Sequence, residues 1–407
     1  MESSRKAHHE IVVERLRGLM AQAGLDALLT VKNENLTYVN TLGSAFLAQS
    51  QMAGLALIVV PRAGDVFGLC CDFERPALAS PGMVTRWYDF PMWIYIDDQF
   101  LGPDEQAGAK ARTEFYELGS SLAVLKESLR AAGLEKGRLG LETLAVQAPV
   151  WQALKEALPQ ADLVDAAALY YQARAVKTAY EIDCLRRAAA AQEEAVFAVM
   201  AEARLGQTQA ELLAALRSRL LASPEIDAIR FLFVAVGTQF APCLSPYEVS
   251  LKPGDLVKYD GALVRRGYGA DAAWTFIAGR PSPDQARVNE ALLAAHLAAV
   301  GMMGPGVIPR DVFNQAMKVV REKGLPHFVR GHVGHSVGLD QTIEEPPFLS
   351  PASVNPMVPG NVFCVELPYY AHNFGSIMNE DIVLITEEGH ELLTKRERRL
   401  HPLGQGV

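Results

Sequence analysis

Cysteine is scarce in this 407-residue chain. Its five residues, Cys70, Cys71, Cys184, Cys243 and Cys364, are odd in number, scattered and without a CxxC pair. That argues against a disulfide framework and a structural zinc knuckle, and leaves reduced, buried thiols as the expectation. Long apolar runs are lacking as well. No stretch reaches the ~18 uninterrupted apolar residues of a membrane span, and the polar start "MESSRKAHHEIVVERLRGL" has no signal-peptide core. Basic charge is in deficit, with a net charge of -9 and a pI near 5.6. Nucleic acid is therefore not expected as a main partner, because binding phosphates needs concentrated Lys and Arg. The basic cluster "KRERR" (395–399) reads as a solvated tail. These absences predict a soluble cytoplasmic protein.

What is present suffices for one large domain or two ordinary ones, since 50% of the residues are hydrophobic and 21% charged. "EIVVERLRGLMAQAG" (10–24) has apolar residues at helical spacing and predicts a helix stopped at Gly24. "LDALLTV", "GLALIVVP" and "VFGLCCDF" read as short strands, "SSLAVLKESLRAAGL" as an amphipathic helix, "GRLGLE" as a strand and "APVWQALKEALP" as a helix. This alternation predicts an α/β domain over 1–165. A second region, 174–407, opens with a long helix capped by Thr178, with Glu181 three positions on. Its strands "FLFVAVG", "DLVKYDGALV", "AAWTFIAG", "NVFCVEL" and "DIVLIT" predict a mixed sheet with helices, an α+β arrangement. The polar stretch "PDEQAGAKAR" (103–112) carries no assignable chemistry.

The second region holds the informative residues. Asp260 and Asp271 are predicted at the ends of two strands joined by a hairpin through "RRGYG", which brings the carboxylates side by side. Buried like charges repel unless a cation lies between them, although aspartates in turns are common. Glu366 interrupts the apolar "VFCVEL", and Glu380 opens the next strand; burying either requires a partner or a metal. Between the pairs, "GHVGHSVGLDQTIEEPP" (331–347) supplies His332 and His335. Four carboxylates and one imidazole suit Mn, Fe or Co at least as well as Zn. Five donors are too many for one tetrahedral zinc, but they fit two adjacent divalent ions.

"DLVKYDGA", "GADAAWTFIAG", "GHSVG", "VFCVELPYY" and "NEDIVLITEEG" resemble the successive signatures of the M24 metallopeptidase family. "RAVKTAYEIDCLRRAA" is similar to the family's entry helix, so the resemblance spans 174–390. "RLRGLMAQAGLDALLTVKNENLTYVNTLGS" resembles the creatinase/prolidase N-terminal domain. The resemblance implies a pita-bread fold, shared with methionine aminopeptidase, prolidase, aminopeptidase P and creatinase, behind a creatinase-like α/β domain. It implies that Asp260 chelates one ion and that Asp271 and Glu380 bridge two. His335, which sits in the GHxxG frame, would bind the second ion with Glu366, and His332 becomes a pocket residue. A homodimer whose N-terminal domains cover the partner's pocket is also implied.

The family's peptidases keep two metal-free histidines near the substrate, and this chain departs there. No histidine lies between His9 and Asp271, which leaves Cys243 or Ser245 in the first place. Asp340, Gln341, Thr342 or Ile343 stands in the second, and Ala273 and Trp274 replace the usual Thr and Arg. The expected function is a metal-dependent hydrolase cleaving a C–N bond in an Xaa-Pro-like dipeptide or a small amide. Glu366 would move the water's proton, and Asp340, His332 or Tyr369 would cover for the lost histidines. The alternative is a lyase similar to dimethylsulfoniopropionate lyases. In it Asp340 is the base and the aromatic run "RWYDFPMWIYIDD" (86–98) is a cation–π box. More plainly, Trp87, Trp93 and Tyr95 are core or dimer-contact residues. A catalytically silent binding module is the third reading. His8, His9, His296, His390 and His401 are expected to be structural or solvated.

Overall fold

The computed structural model describes residues 2–100, 102, 111–242 and 248–404. Cys243, Ser245 and most of 103–112 lie outside the described residues. The chain forms two compact units, Met1–Arg174 and Ala175–Val407. The first unit therefore runs beyond residue 165, through the helix Ala167–Ala175.

The first unit is built on a sheet of β1 (Ala27–Leu29), β2 (Leu57–Pro61), β3 (Phe67–Cys71), β4 (Arg86–Phe90), β5 (Arg138–Leu141) and β6 (Asp162–Asp165), ordered β4-β3-β2-β1-β5-β6. β1, β2 and β3 are wholly buried, as their continuous apolar sequences require. Helices Leu118–Ala131 and Ala148–Ala157 pack Leu125, Leu129 and Leu154 against Leu29, Val59, Leu69 and Leu139. The predicted first helix runs over Glu2–Ala23 and ends just before Gly24. His8 and His9 bond the backbone carbonyls of Tyr38 and Val39, a structural role.

The aromatic run is taken up by the first unit's own strand and packing, as the plainer reading of Trp93 had it. Residues 86–90 form edge strand β4, parallel to β3, and the Trp87 indole donates to the Val84 carbonyl. Trp93 packs within the same unit against Phe46, Phe115 and Tyr116.

The second unit's sheet contains β7 (Ala228–Val236), β8 (Leu256–Arg265), β9 (Tyr268–Ile277), β10 (Gly334–Val337), β11 (Glu344–Phe348), β12 (Val362–Glu366) and β15 (Glu380–Ile385). Their order is β11-β10-β12-β15-β9-β8-β7. A separate hairpin, β13 (Tyr369–Ala371) with β14 (Gly375–Ile377), lies between β12 and β15 in the chain. β16 (His390–Leu392) pairs with β15, and β17 (His401–Pro402) with β9. Thr178 and Glu181 form the predicted capping box of the helix Ala179–Ala201. That helix aims Gln192 at Tyr259 and at the carbonyls of Gly261 and Ala272. Helices Pro283–Met302 and Pro309–Glu322 bury Leu292, Ala295, Val312 and Ala316 against Phe363, Val365 and Val383.

Strand periodicity then fixes the remaining face. With Phe363 and Val365 turned to the helices, Cys364 and Glu366 must point the other way.

"KRERR" is exposed, as expected of a solvated segment, except at Arg398. Arg398 is buried, pairs with Asp381, and places its guanidinium 5.0 Å from the centre of the Trp274 ring. His296 binds the same aspartate at 2.8 Å. The four described cysteines are free and buried. Among the described residues, no helix is long and apolar enough to cross a membrane.

Candidate metal centre

Register aligns the acidic residues. Glu366 on β12 pairs directly with Glu380 on β15, Glu380 pairs with Ala273 on β9, and Ala273 pairs with Asp260 on β8. These four positions form one row across four strands, and directly opposed residues share a face. Asp271 lies on that face two residues from Ala273, opposite Ala262. Asp260 and Asp271 therefore sit mid-strand as diagonal neighbours rather than at strand ends. The small side chains Ala262 and Ala273 opposite them leave room between the carboxylates.

His335 enters from β10, opposite Cys364. Gly334 makes that approach possible: its φ is +154°, and a β-carbon there would stand 2.1 Å from the Cys364 carbonyl oxygen. His335 Nδ1 lies 3.0 Å from the Ser336 carbonyl, a contact that makes Nδ1 the donor. Nε2, the nitrogen whose proton a bound metal would displace, lies 3.6 Å from Glu380 Oε1 and 3.9 Å from Asp271 Oδ2. Cys364 shares the face, and its Sγ donates to the Asp271 carbonyl oxygen at 3.4 Å. Burial, reinforced by Glu380 and Asp271, pushes the Cys364 thiol well above its ordinary pKa.

Burial also raises Asp271 far above the usual carboxylate range, with Glu380, Asp260 and Glu366 adding repulsion. Glu380 is shifted up by burial against the pull of His335. For His335, burial opposes the charge, but Glu380 and then Glu366 outweigh it and hold the pKa at about 9.

These residues fit a divalent ion. Asp271 Oδ1 and both oxygens of Glu380 are buried without a hydrogen-bond donor. Donor atoms of Asp260, Asp271 and Glu380 converge within 4.8 Å of one another, as do those of His335, Cys364 and Glu380. Gathered carboxylates without donors are a poor arrangement for a protein interior and a good one for a hard cation.

Two cations beside this cluster escape a reading of the sequence for ligands. Lys258, buried two residues before Asp260 on the same face of β8, sets its Nζ 2.9 Å from Asp260 Oδ2 and 5.3 Å from the centre of the Tyr370 ring. Arg330 donates from Nη2 to Glu366 Oε1 at 2.7 Å and from Nε to the His332 carbonyl. Strand alternation could have found Lys258. Arg330 lies in coil and has no period to betray it.

His332 stands beside the site, partly exposed. Its Nδ1 is 3.6 Å from Glu366 Oε1, its Nε2 is 3.6 Å from Glu344 Oε2, and its ring meets His335 edge to face at 6.2 Å. Asp340 has turn contacts: its Oδ1 accepts from the Thr342 amide and hydroxyl, and its carbonyl accepts from Ile343. Ile343 holds a left-handed φ of +68° and is fully buried, and a β-carbon on Gly269 would stand 2.3 Å from its side chain. The loop is thus pinned between the sheet and its own turn. Tyr369 does not face the site. It packs with Phe374 on the helix-side core, and the next residue, Tyr370, meets Lys258.

Comparison with known proteins accords with this geometry. The sequence profile of "Metallopeptidase family M24" matches residues 183–387, half of the chain, and that of "Creatinase/Prolidase N-terminal domain" matches residues 13–176. The chain belongs to metallopeptidase family M24. It is 30% identical to an Xaa-Pro dipeptidase of Pyrococcus furiosus over 232 residues, 56% of this chain and 65% of that one. A second Xaa-Pro dipeptidase of the family, from Pyrococcus horikoshii, is 28% identical over 395 residues, covering 95% of this chain and 98% of that one. In fold, the chain superposes on the Xaa-Pro dipeptidase from Bacillus anthracis with a TM-score of 0.80 at 22% identity, covering 97% of this chain and all of that one. The pita-bread unit behind a creatinase-like domain is thus the family's arrangement.

Proposed function

We propose that this chain is a metal-dependent hydrolase that cleaves the C–N bond of a small substrate, with Xaa-Pro dipeptides as the first candidates. The observation that carries this reading is the set of buried carboxylate oxygens of Asp271 and Glu380 that lack donors, with His335 Nε2 aimed at them. Relatives bearing the name Xaa-Pro dipeptidase supply the substrate class. Mn, Fe, Co and Zn all suit the donors, and counting all five side chains as free ligands gives two ions.

A divalent ion held there supplies a Lewis acid that polarises a carbonyl and brings the pKa of water from about 15.7 towards 7. The chain's own residues do the rest. Glu366 keeps one oxygen on Arg330, and its other oxygen takes a proton from water and passes it to the leaving nitrogen. Burial lowers the His332 pKa against the opposing pull of Glu366, with Arg330 on the side of burial, which favours the neutral ring that offers one N–H to a developing oxyanion. In this role it covers for the histidines that the sequence lacks. A cytoplasmic homodimer of the 44.3 kDa chain completes the reading.

With Mn2+ added, the purified protein is expected to release proline from Gly-Pro or Ala-Pro, and a chelator is expected to stop it. Metal bound with no dipeptide cleaved would remove this reading. His332→Ala is expected to lower kcat/KM by about 10²–10³-fold while leaving the metal content unchanged, as steady-state kinetics and metal analysis on the same sample would show.

A further inference from the structure

One buried amide stands directly behind the two aspartates. Asp260 and Asp271 project from β8 and β9 as diagonal neighbours, and the residues that follow them, Gly261 and Ala272, are paired with each other across the two strands. Strand alternation turns Gly261 and Ala272 to the opposite face, where the helix Ala179–Ala201 packs. Gln192, fully buried on that helix, reaches this pair. Its Nε2 lies 2.5 Å from the Gly261 carbonyl oxygen, 3.1 Å from the Tyr259 hydroxyl and 3.3 Å from the Ala272 carbonyl oxygen. A single donor group thus spans both strands at the position next to each aspartate. Gly261 makes the approach possible, since a β-carbon there would stand 2.7 Å from the Tyr259 hydroxyl oxygen.

These bonds are additions to the strand pairing. The Asp255 carbonyl bonds on the β9 side and the Leu256 carbonyl on the β7 side, so alternation along β8 turns the Gly261 carbonyl towards β9, where the ladder already uses it. Fold stability alone does not explain an amide at this place. Its own Oε1 is buried with no hydrogen-bond partner, and a buried acceptor left without a donor lowers stability. An apolar side chain of the same length would avoid that cost and leave the strand pairing intact. What the amide adds is a tie between β8 and β9 at the level of two carboxylates that repel each other.

We propose that Gln192 is a positioning residue for the metal centre, which fixes the separation of Asp260 and Asp271 by holding the Gly261 and Ala272 carbonyls together. This rests on the metal-binding reading above and adds to it a side chain that touches neither ion nor substrate. Ligands already held at their bound spacing need no rearrangement when an ion enters, and affinity rises accordingly.

The test reads metal affinity beside metal-free stability on the full-length protein. Gln192→Met keeps the length of the side chain and removes the donor. Its Mn2+ affinity, from calorimetric titration of apoprotein, is expected to fall by about 10–100-fold, while its metal-free melting temperature holds or rises. The visible spectrum of its Co2+ form, which reports the geometry around the ion, is expected to shift as well. Leu185→Ala opens a cavity under the same helix without touching either carbonyl. It is expected to melt lower and to keep the wild-type affinity and spectrum. Should methionine not be accommodated, Gln192→Leu carries the same comparison. Wild-type affinity or an unaltered Co2+ spectrum in Gln192→Met would overturn the proposal. So would an equal loss of affinity in Leu185→Ala, or a metal-free Gln192→Met that melts as low as Leu185→Ala. Wild type that binds no Mn2+ would overturn the metal-binding reading itself, which separates the two failures.

Discussion

Asp271→Asn is expected to abolish hydrolysis and, in the same molecule, to raise the melting temperature of the metal-free protein. Both effects come from one carboxylate. Asp271 is buried among Glu380, Asp260 and Glu366, each of which disfavours its ionised form. Without metal its charge is a cost to the fold, and a neutral amide of the same shape relieves that cost. On the proposed metal-binding reading the same charge is a ligand. Its loss is expected to lower kcat/KM by at least roughly 10³-fold, about 4 kcal/mol in the transition state. Thermal melts of chelator-treated wild type and variant, read beside a Gly-Pro assay, check both halves. A variant that melts lower without metal would show that the cluster is held together by hydrogen bonds rather than strained by repulsion.

The second large effect lies on the opposite face of the same sheet. Arg398→Met is expected to destabilise the second unit by about 3–5 kcal/mol, because it strands the buried Asp381 carboxylate. Burial alone would raise the Asp381 pKa, but Arg398 and then His296 overcome it and hold the group well below the ordinary carboxylate range. The stability that Asp381 contributes is therefore present above the unfolded value, about 3.9, and is lost as pH falls below it. Wild type should thus lose stability on acidification more steeply than the variant. Urea unfolding at several pH values, followed through Trp274, the one tryptophan of the second unit, measures both the offset and the slope. Equal acid slopes would mean that Arg398 does not set the Asp381 titration.

Much of this site was legible because β-strand alternation is a strict rule. A glutamate between Val365 and Leu367, and an aspartate between Tyr259 and Gly261, cannot face the helix-packed side, so a shared acidic face follows. The same rule places Lys258 with Asp260, and Cys364 with Glu366, but neither residue type announces a metal. Arg330 and the turn at Asp340 were beyond reach, since coil has no period and a carboxylate close in sequence to a candidate ligand histidine can still bond the Thr342 backbone. Arg398 was hidden for a different reason. A run of charges reads as solvated, and only the sheet register shows Asp381 waiting on the far face. The aromatic run admitted two readings because an edge strand and an exposed loop carry the same mixture of Trp, Tyr and Asp.

The row of residues across the sheet has a topological consequence. Roughly a hundred residues separate Asp271 from Glu380 along the chain, and β9 meets β15 in register at Ala273 and Glu380. An ion gripping both carboxylates closes that loop much as a disulfide would. In the unfolded chain a crosslink of that span removes entropy worth about 4.7 kcal/mol. On the proposed metal-binding reading the ion would be a reversible clasp between β9 and β15, and a chelator that stops hydrolysis is expected to release the loop between them as well.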